Sequence, residues 1–180
     1  MGLRRTALCF LALACLAEAP VSARRVLPYR AVVEVSAAPK VGEASWRGDL
    51  ADRVTERLRA KACLAGVEDP GGTNADLRVH VRVEDLERET DFGTSLAQSV
   101  SPDASPDVKT LRVARLRATI LVELIQLPGE EKRDQRRLTV DVRRAPRTQD
   151  EDVDAAAAEE AMDQAADRVA QVVCRAKAPR

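Results

Sequence analysis

From Ala75 to Glu84 apolar and polar residues alternate strictly once the strand begins. Leu77, Val79, Val81 and Val83 fall on one side, and Arg78, His80, Arg82 and Glu84 on the other. A period of two belongs to a β-strand. The split between apolar and charged side chains says that one sheet face is buried and the other is wet. Three further segments follow the same rule. Ala31, Val33 and Val35 oppose Arg30, Glu34 and Ser36, with Val32 as the exception. Leu116, Ala118, Ile120, Val122 and Leu124 oppose Arg115, Arg117, Thr119 and Glu123. Leu138, Val140 and Val142 oppose Arg137, Thr139, Asp141 and Arg143. At Asp85-Leu86 the phase slips by one, which marks a bulge or the end of a ladder.

Two stretches change to helical spacing. Trp46, Leu50, Val54 and Leu58 form a stripe at i+4, and Gly66 suits a left-handed cap at its end. Met162, Ala165, Ala166, Val169, Val172 and Val173 form a second stripe, in a helix expected to reach about Ala176. Thr148-Gln149-Asp150-Glu151 matches a capping box before it. Asp69-Pro70-Gly71-Gly72 reads as a turn, and Pro128-Gly129 as the centre of a type II turn opening a hairpin. Residues 91–107 are rich in Ser, Pro and Asp and read as a mobile loop, a spacer or a partner-binding segment. The order is β-α-β-β-β-α. The expected fold is an α/β (α+β) sandwich, one mixed four-stranded sheet with two parallel helices on one face.

The first 23 residues have the form of a cleaved export signal. Arg4 and Arg5 precede an apolar run from Thr6 to Ala17, too short to span a bilayer, and Val21-Ser22-Ala23 suits signal peptidase. Cleavage leaves 24–180 as a single domain, periplasmic or secreted, with no transmembrane span. The signal removes Cys9 and Cys15, leaving Cys63 and Cys174. In an oxidising compartment two cysteines read as one disulfide, the alternative being two separately buried thiols. With the first strand up and both helices down on one face, these cysteines reach the same edge of the domain. Lipid attachment at Cys15 is disfavoured. Ala12-Leu13-Ala14-Cys15 has its leucine at the wrong position, and apolar sequence continues past the cysteine.

Removing Arg4, Arg5 and Glu18 with the signal leaves 27 basic and 28 acidic residues, a net of −1. That balance, with only Tyr29, Trp46 and Phe92 as aromatics, argues against nucleic acid as a partner. The mature chain has one histidine, His80, read as a solvated strand residue. No nucleophile elbow, phosphate-cradling glycine loop or Cys–His arrangement occurs. Neither a metal nor another cofactor is expected, and the acids at 150–154 lack the order of a calcium loop. An enzyme is therefore not expected. The distinctive surface is the outer sheet face, where Arg78, Arg82, Arg115, Arg117, Arg137 and Arg143 project against Glu84, Glu123 and Asp141. It reads either as a docking face for an anionic partner, a lipid headgroup or acidic protein segment, or as cross-strand charge pairing.

The signal followed by this order of elements, with strands such as Ala75-Asp76-Leu77-Arg78-Val79-His80-Val81, resembles a group of small bacterial envelope domains. These are the auxiliary lipoproteins of ABC-type transport systems, the lipopolysaccharide-assembly lipoprotein and the amino-terminal domain of the Tol-system propeller protein. Curli- and flagella-associated secretion lipoproteins share a similar unit. The resemblance covers most of residues 29–176. It implies a non-catalytic component of an envelope transport or assembly system that works by binding. The lipid-anchor motif of those proteins is missing at Cys15. A small secreted hydrolase with an unrecognised site, or a free-standing inhibitor, is the alternative.

Overall fold

The alternation at residues 77–83 forms the middle of the sheet. The computed structural model describes residues 26–41, 46–69, 71–97, 107–148 and 151–176. The expected export signal, residues 1–23, lies outside them. The elements are β1 (Leu27–Ala37), a 3-10 turn (Pro39–Val41), α1 (Trp46–Lys61), β2 (Leu64–Val67), β3 (Leu77–Ala97), β4 (Asp107–Gln126), β5 (Glu131–Arg144) and α2 (Val153–Arg175). The sheet order is β2-β1-β3-β4-β5. β1 is parallel to both β2 and β3, while β3–β4 and β4–β5 are antiparallel.

The sheet is thus mixed and backed by two helices, as expected, but it has five strands where the sequence suggested four. The extra strand, β2, has only four residues and shows too little alternation to register as one. It also explains the misplaced cap. α1 stops at Lys61, Ala62 turns the chain with φ 47°, and Gly66 lies within β2.

Both helices cover the same sheet face. Leu50, Val54 and Leu58 of α1 are buried, as are Ala165, Ala166, Val169 and Val173 of α2. They pack on Val33, Val79, Val81, Ile120, Val122, Val140 and Val142 of the strands. Each of the valine, leucine and isoleucine side chains contributes roughly 1.5–3 kcal/mol by leaving water, and the alanines less. Ion pairs give the helix direction. Arg53 meets Glu159 and Asp163 (3.5 and 2.7 Å), and Arg57 meets Asp163 and Asp167 (3.5 Å each). One turn along α1 is one turn along α2 in the same sense, so the helices run parallel. Their C-terminal ends are joined by a Cys63–Cys174 disulfide, with a Cα separation of 5.4 Å and a sequence separation of 111. Cys63 follows the helix instead of belonging to it, so the turn at Ala62 aims it at α2 whatever the phase of the α1 stripe. Its carbonyl accepts from the Leu27 amide at 2.7 Å, holding the turn against β1.

The phase slip near Asp85 is a bulge, with the register shifting between Val83 and Asp85. The ladder does not end there. β3 continues to Ala97 and pairs through to Asp107, so 91–97 and Asp107 are strand where the sequence reading has a loop. Backbone ladders do not require an apolar face, and this two-stranded arm has little apolar sequence to reveal it. Residues 98–106 lie outside the described residues. The hairpin at 127–130 is present, but the Leu127–Pro128 bond is cis and the positive φ falls at Glu130 (50°), not at Gly129. α2 begins later than the capping box proposed. Asp152 is the N-cap, its carboxylate accepting from the amides of Asp154 and Ala155 at 3.1 and 3.2 Å. Glu151 instead accepts from Arg144 at 2.8 Å and from the Arg147 amide, tying the end of β5 to the start of α2.

Ala62→Gly is expected to stabilise the fold by about 0.5–1 kcal/mol, because an L-residue at positive φ costs about 1 kcal/mol or more. A higher urea midpoint at unchanged slope checks this. Replacing Cys63 and Cys174 together by Ala should cost up to about 4–5 kcal/mol, the chain-entropy value for a loop of this length. The same denaturation measurement tests it.

Candidate functional site

With both helices on one side, the outward positions of the strands form an open face. All six arginines singled out above reach it. Arg115 donates to Asp141 through two nitrogens at 3.1 and 2.9 Å, and Arg117 lies 3.4 Å from the same carboxylate. Arg137 donates to Glu84 at 2.8 and 3.3 Å. Arg78 pairs with Glu34 at 3.1 Å and with Glu130 at 3.4 Å. Four of the six therefore meet carboxylates of their own face, and the Arg115–Asp141 and Arg137–Glu84 contacts are both two-pronged. The Arg115–Asp141 contact raises the Arg115 pKa and lowers that of Asp141. Arg82 and Arg143 have no ion pair or hydrogen bond among the described residues.

The register also assembles a polar chain that the sequence does not reveal. His80 lies between Glu34 on β1 and Glu123 on β4. Ser36, two residues further along β1, reaches it diagonally. The Ser36 Oγ is 2.8 Å from His80 Nε2, and Nδ1 is 3.2 Å from a Glu123 carboxylate oxygen. The other Glu123 oxygen accepts from Lys132 on β5. A carboxylate has no proton to give, so Nδ1 carries the hydrogen and Nε2 accepts from the Ser36 hydroxyl. The Glu123 side chain is only 14 % exposed. The Lys132 ammonium, then the His80 imidazole, hold its pKa below the ordinary carboxylate value against the opposing effect of burial.

Hydroxyl, imidazole and carboxylate stand here in the order of a nucleophile–base relay. The setting differs from that of an acyl-transfer site. Ser36 lies within the β1–β3 ladder, where strand amides are engaged in pairing, and not on a sharp turn with free amides beside it. The chain therefore joins four strands across the open face and keeps one imidazole in a defined tautomer. His80 was legible as an outward strand residue. Its partners were not, because they depend on the β1–β3 and β3–β4 registers. Among the described residues, no group of three or more His, Cys, Asp or Glu is placed to hold a metal ion. No described helix is long and apolar enough to cross a membrane.

Because the folded Glu123 pKa is depressed, its ionised contacts stabilise the fold fully above the ordinary value of about 4.3. That contribution is lost as the pH falls through the depressed value. Glu123→Gln should cost about 1 kcal/mol at pH 7, a figure kept small because Lys132 is half exposed. The difference from the unaltered protein should close as the pH falls below that depressed value. Urea midpoints across that range measure it, and a pH-independent difference would assign the loss to packing.

No family model matches the chain, and no curated protein matches it. Solved structures do. A Xanthomonas campestris protein of the DUF330 family is 18 % identical, with 86 % of this chain and 89 % of that one covered and a TM-score of 0.53. A minor lipoprotein from Acinetobacter baumannii is 14 % identical over 83 % and 90 % of the two chains, with a TM-score of 0.43. The rare lipoprotein B from Shewanella oneidensis is 19 % identical over 80 % and 92 %, with a TM-score of 0.36. At these identities the likeness is one of fold, and it is carried by the Xanthomonas structure.

Proposed function

We infer that this chain is an exported, non-catalytic binding module of the bacterial cell envelope, an accessory component of a transport or assembly system. The observation that carries the reading is the open sheet face, on which Arg82 and Arg143 have no carboxylate partner among the described residues. The sequence signal supports export, and the fold is shared with a bacterial protein, that of Xanthomonas campestris. Arg82 lies beside Leu121 and Arg143 beside Arg115, six residues apart along β4, or roughly 20 Å. Two free guanidinium groups that far apart suit an extended anionic partner better than one small anion. An acidic segment of an envelope protein has that shape. Anionic lipid headgroups are the competing source of the same charge.

In the test, the mature protein is cross-linked in the periplasm and separately mixed with vesicles of anionic or zwitterionic lipid. A stoichiometric protein partner is expected, with Arg82→Glu/Arg143→Glu weakening its binding about tenfold. Binding to anionic vesicles alone moves the assignment to lipid. A strictly monomeric isolate that binds neither removes the reading. The mature mass should correspond to an N-terminus at Arg24, and an acylated Cys15 would show that the domain is tethered.

A second reading, a small hydrolase, is favoured by one observation, the Ser36–His80–Glu123 order. It requires a fluorophosphonate probe to label Ser36 and the label to disappear in His80→Gln. The binding reading expects no labelling.

A further inference from the structure

On the helix side, α2 changes character along its length. Its C-terminal half packs Val169 and Val173 on the sheet, but its N-terminal half offers Ala157, Ala158, Ala161 and Ala165. A methyl group cannot fill the space that a valine or leucine fills between a helix and a sheet. At the same level β3 has passed its bulge, and Leu86 and Leu116 face inward from adjacent strands. A shallow, open trough with a cavity volume of about 50 Å³ remains, with Leu50, Leu86, Leu116, Ala158 and Met162 among its walls.

The walls carry a single charge. Arg88 lies two residues beyond Leu86 on the same inward face, opposite Leu116. It is exposed and has no ion pair or hydrogen bond among the described residues. A guanidinium at the lip of an apolar trough selects an occupant with a long apolar body and one anionic end. A peptide fits poorly, because its amides would lose their hydrogen bonds to water against walls that offer no replacement. A saturated hydrocarbon chain has no such groups to satisfy.

We propose that this trough binds a single-chain anionic amphiphile, a fatty acid, with its carboxylate on Arg88 and its chain lying between α2 and the β3–β4 pair. The site is on the opposite face of the sheet from Arg82 and Arg143, so it stands or falls independently of the partner-binding reading.

The test uses the mature protein with dodecanoate, octanoate and dodecanol as probes, each below its aggregation concentration. Binding is followed by calorimetry and by the fluorescence of Trp46, the only tryptophan, which starts α1 one turn before Leu50. Dodecanoate should bind saturably at one site. Octanoate should be weaker by about fourfold for each methylene lost, the value expected for buried CH₂ groups. Arg88→Gln should weaken dodecanoate about tenfold and leave dodecanol unchanged, whereas Arg143→Glu should affect neither. Ala161→Leu fills the trough and should abolish binding of both probes. Ala158→Phe, at the partly exposed margin, is the second blocking variant in case the first does not fold. No saturable binding by the unaltered protein would overturn the proposal, as it would if the trough is already covered by the chain's own residues. So would full binding by a folded blocking variant. Equal losses for dodecanoate and dodecanol in Arg88→Gln would overturn the carboxylate assignment.

Discussion

Seven consecutive parallel rungs, Ala31–Ala37 against Leu77–Val83, join strands separated in the chain by α1 and β2. Most of the architecture depends on this pairing. Parallel neighbours cannot be linked by a tight turn, so the chain must cross a sheet face, and α1 makes that crossing. Once α1 has chosen its face, β3, β4 and β5 follow by antiparallel pairing, and α2 returns over the same face. The two helix ends then arrive together, which is what allows Cys63 and Cys174 to bond over 111 residues of chain. The same ladder places Ser36 next to His80.

One-sided cover divides the molecule into two surfaces with different physics. On the helix side, stability comes from apolar area removed from water, and it thins where α2 becomes alanine-rich. On the open side there is little apolar area to bury, and order comes from charges placed opposite one another across strands. Asp141 serves both Arg115 and Arg117, Glu84 serves Arg137, and Glu123 joins His80 to Lys132. Such exposed pairs are screened by water and add little stability. They do more to set register and to leave Arg82 and Arg143 distinct from the other four arginines than to hold the fold together.

Much of this was legible in the residues. Period-two alternation marked the central strands, the i+4 stripes marked both helices, and the slip at Asp85 marked the bulge. What escaped notice was structure that needs no apolar signature. β2 is four residues held by its neighbour's backbone, and the 91–97 extension is a ladder between largely polar segments. The helix ends also misled. Gly66 and Thr148 are good cap residues, but Ala62 ends α1 and Asp152 begins α2, because Gly66 is taken up in β2 and Glu151 is tied back to Arg144 and Arg147. For the open face, residue types and their side of the sheet were readable, but partners were not. An arginine's neighbour in space lies on another strand, and a slip of one rung would exchange it.

By itself the sequence determined which residues are inward and which outward along the four strands and two helices it announced, because that depends only on local period. It also singled out Cys63 and Cys174 as a pair, and the structure joins them. Only the tertiary structure decided which charges neutralise each other, which histidine nitrogen carries the proton, and where the helix cover falls short of the sheet. Those are properties of register and of side-chain volume across elements far apart in the chain, and no local pattern encodes them.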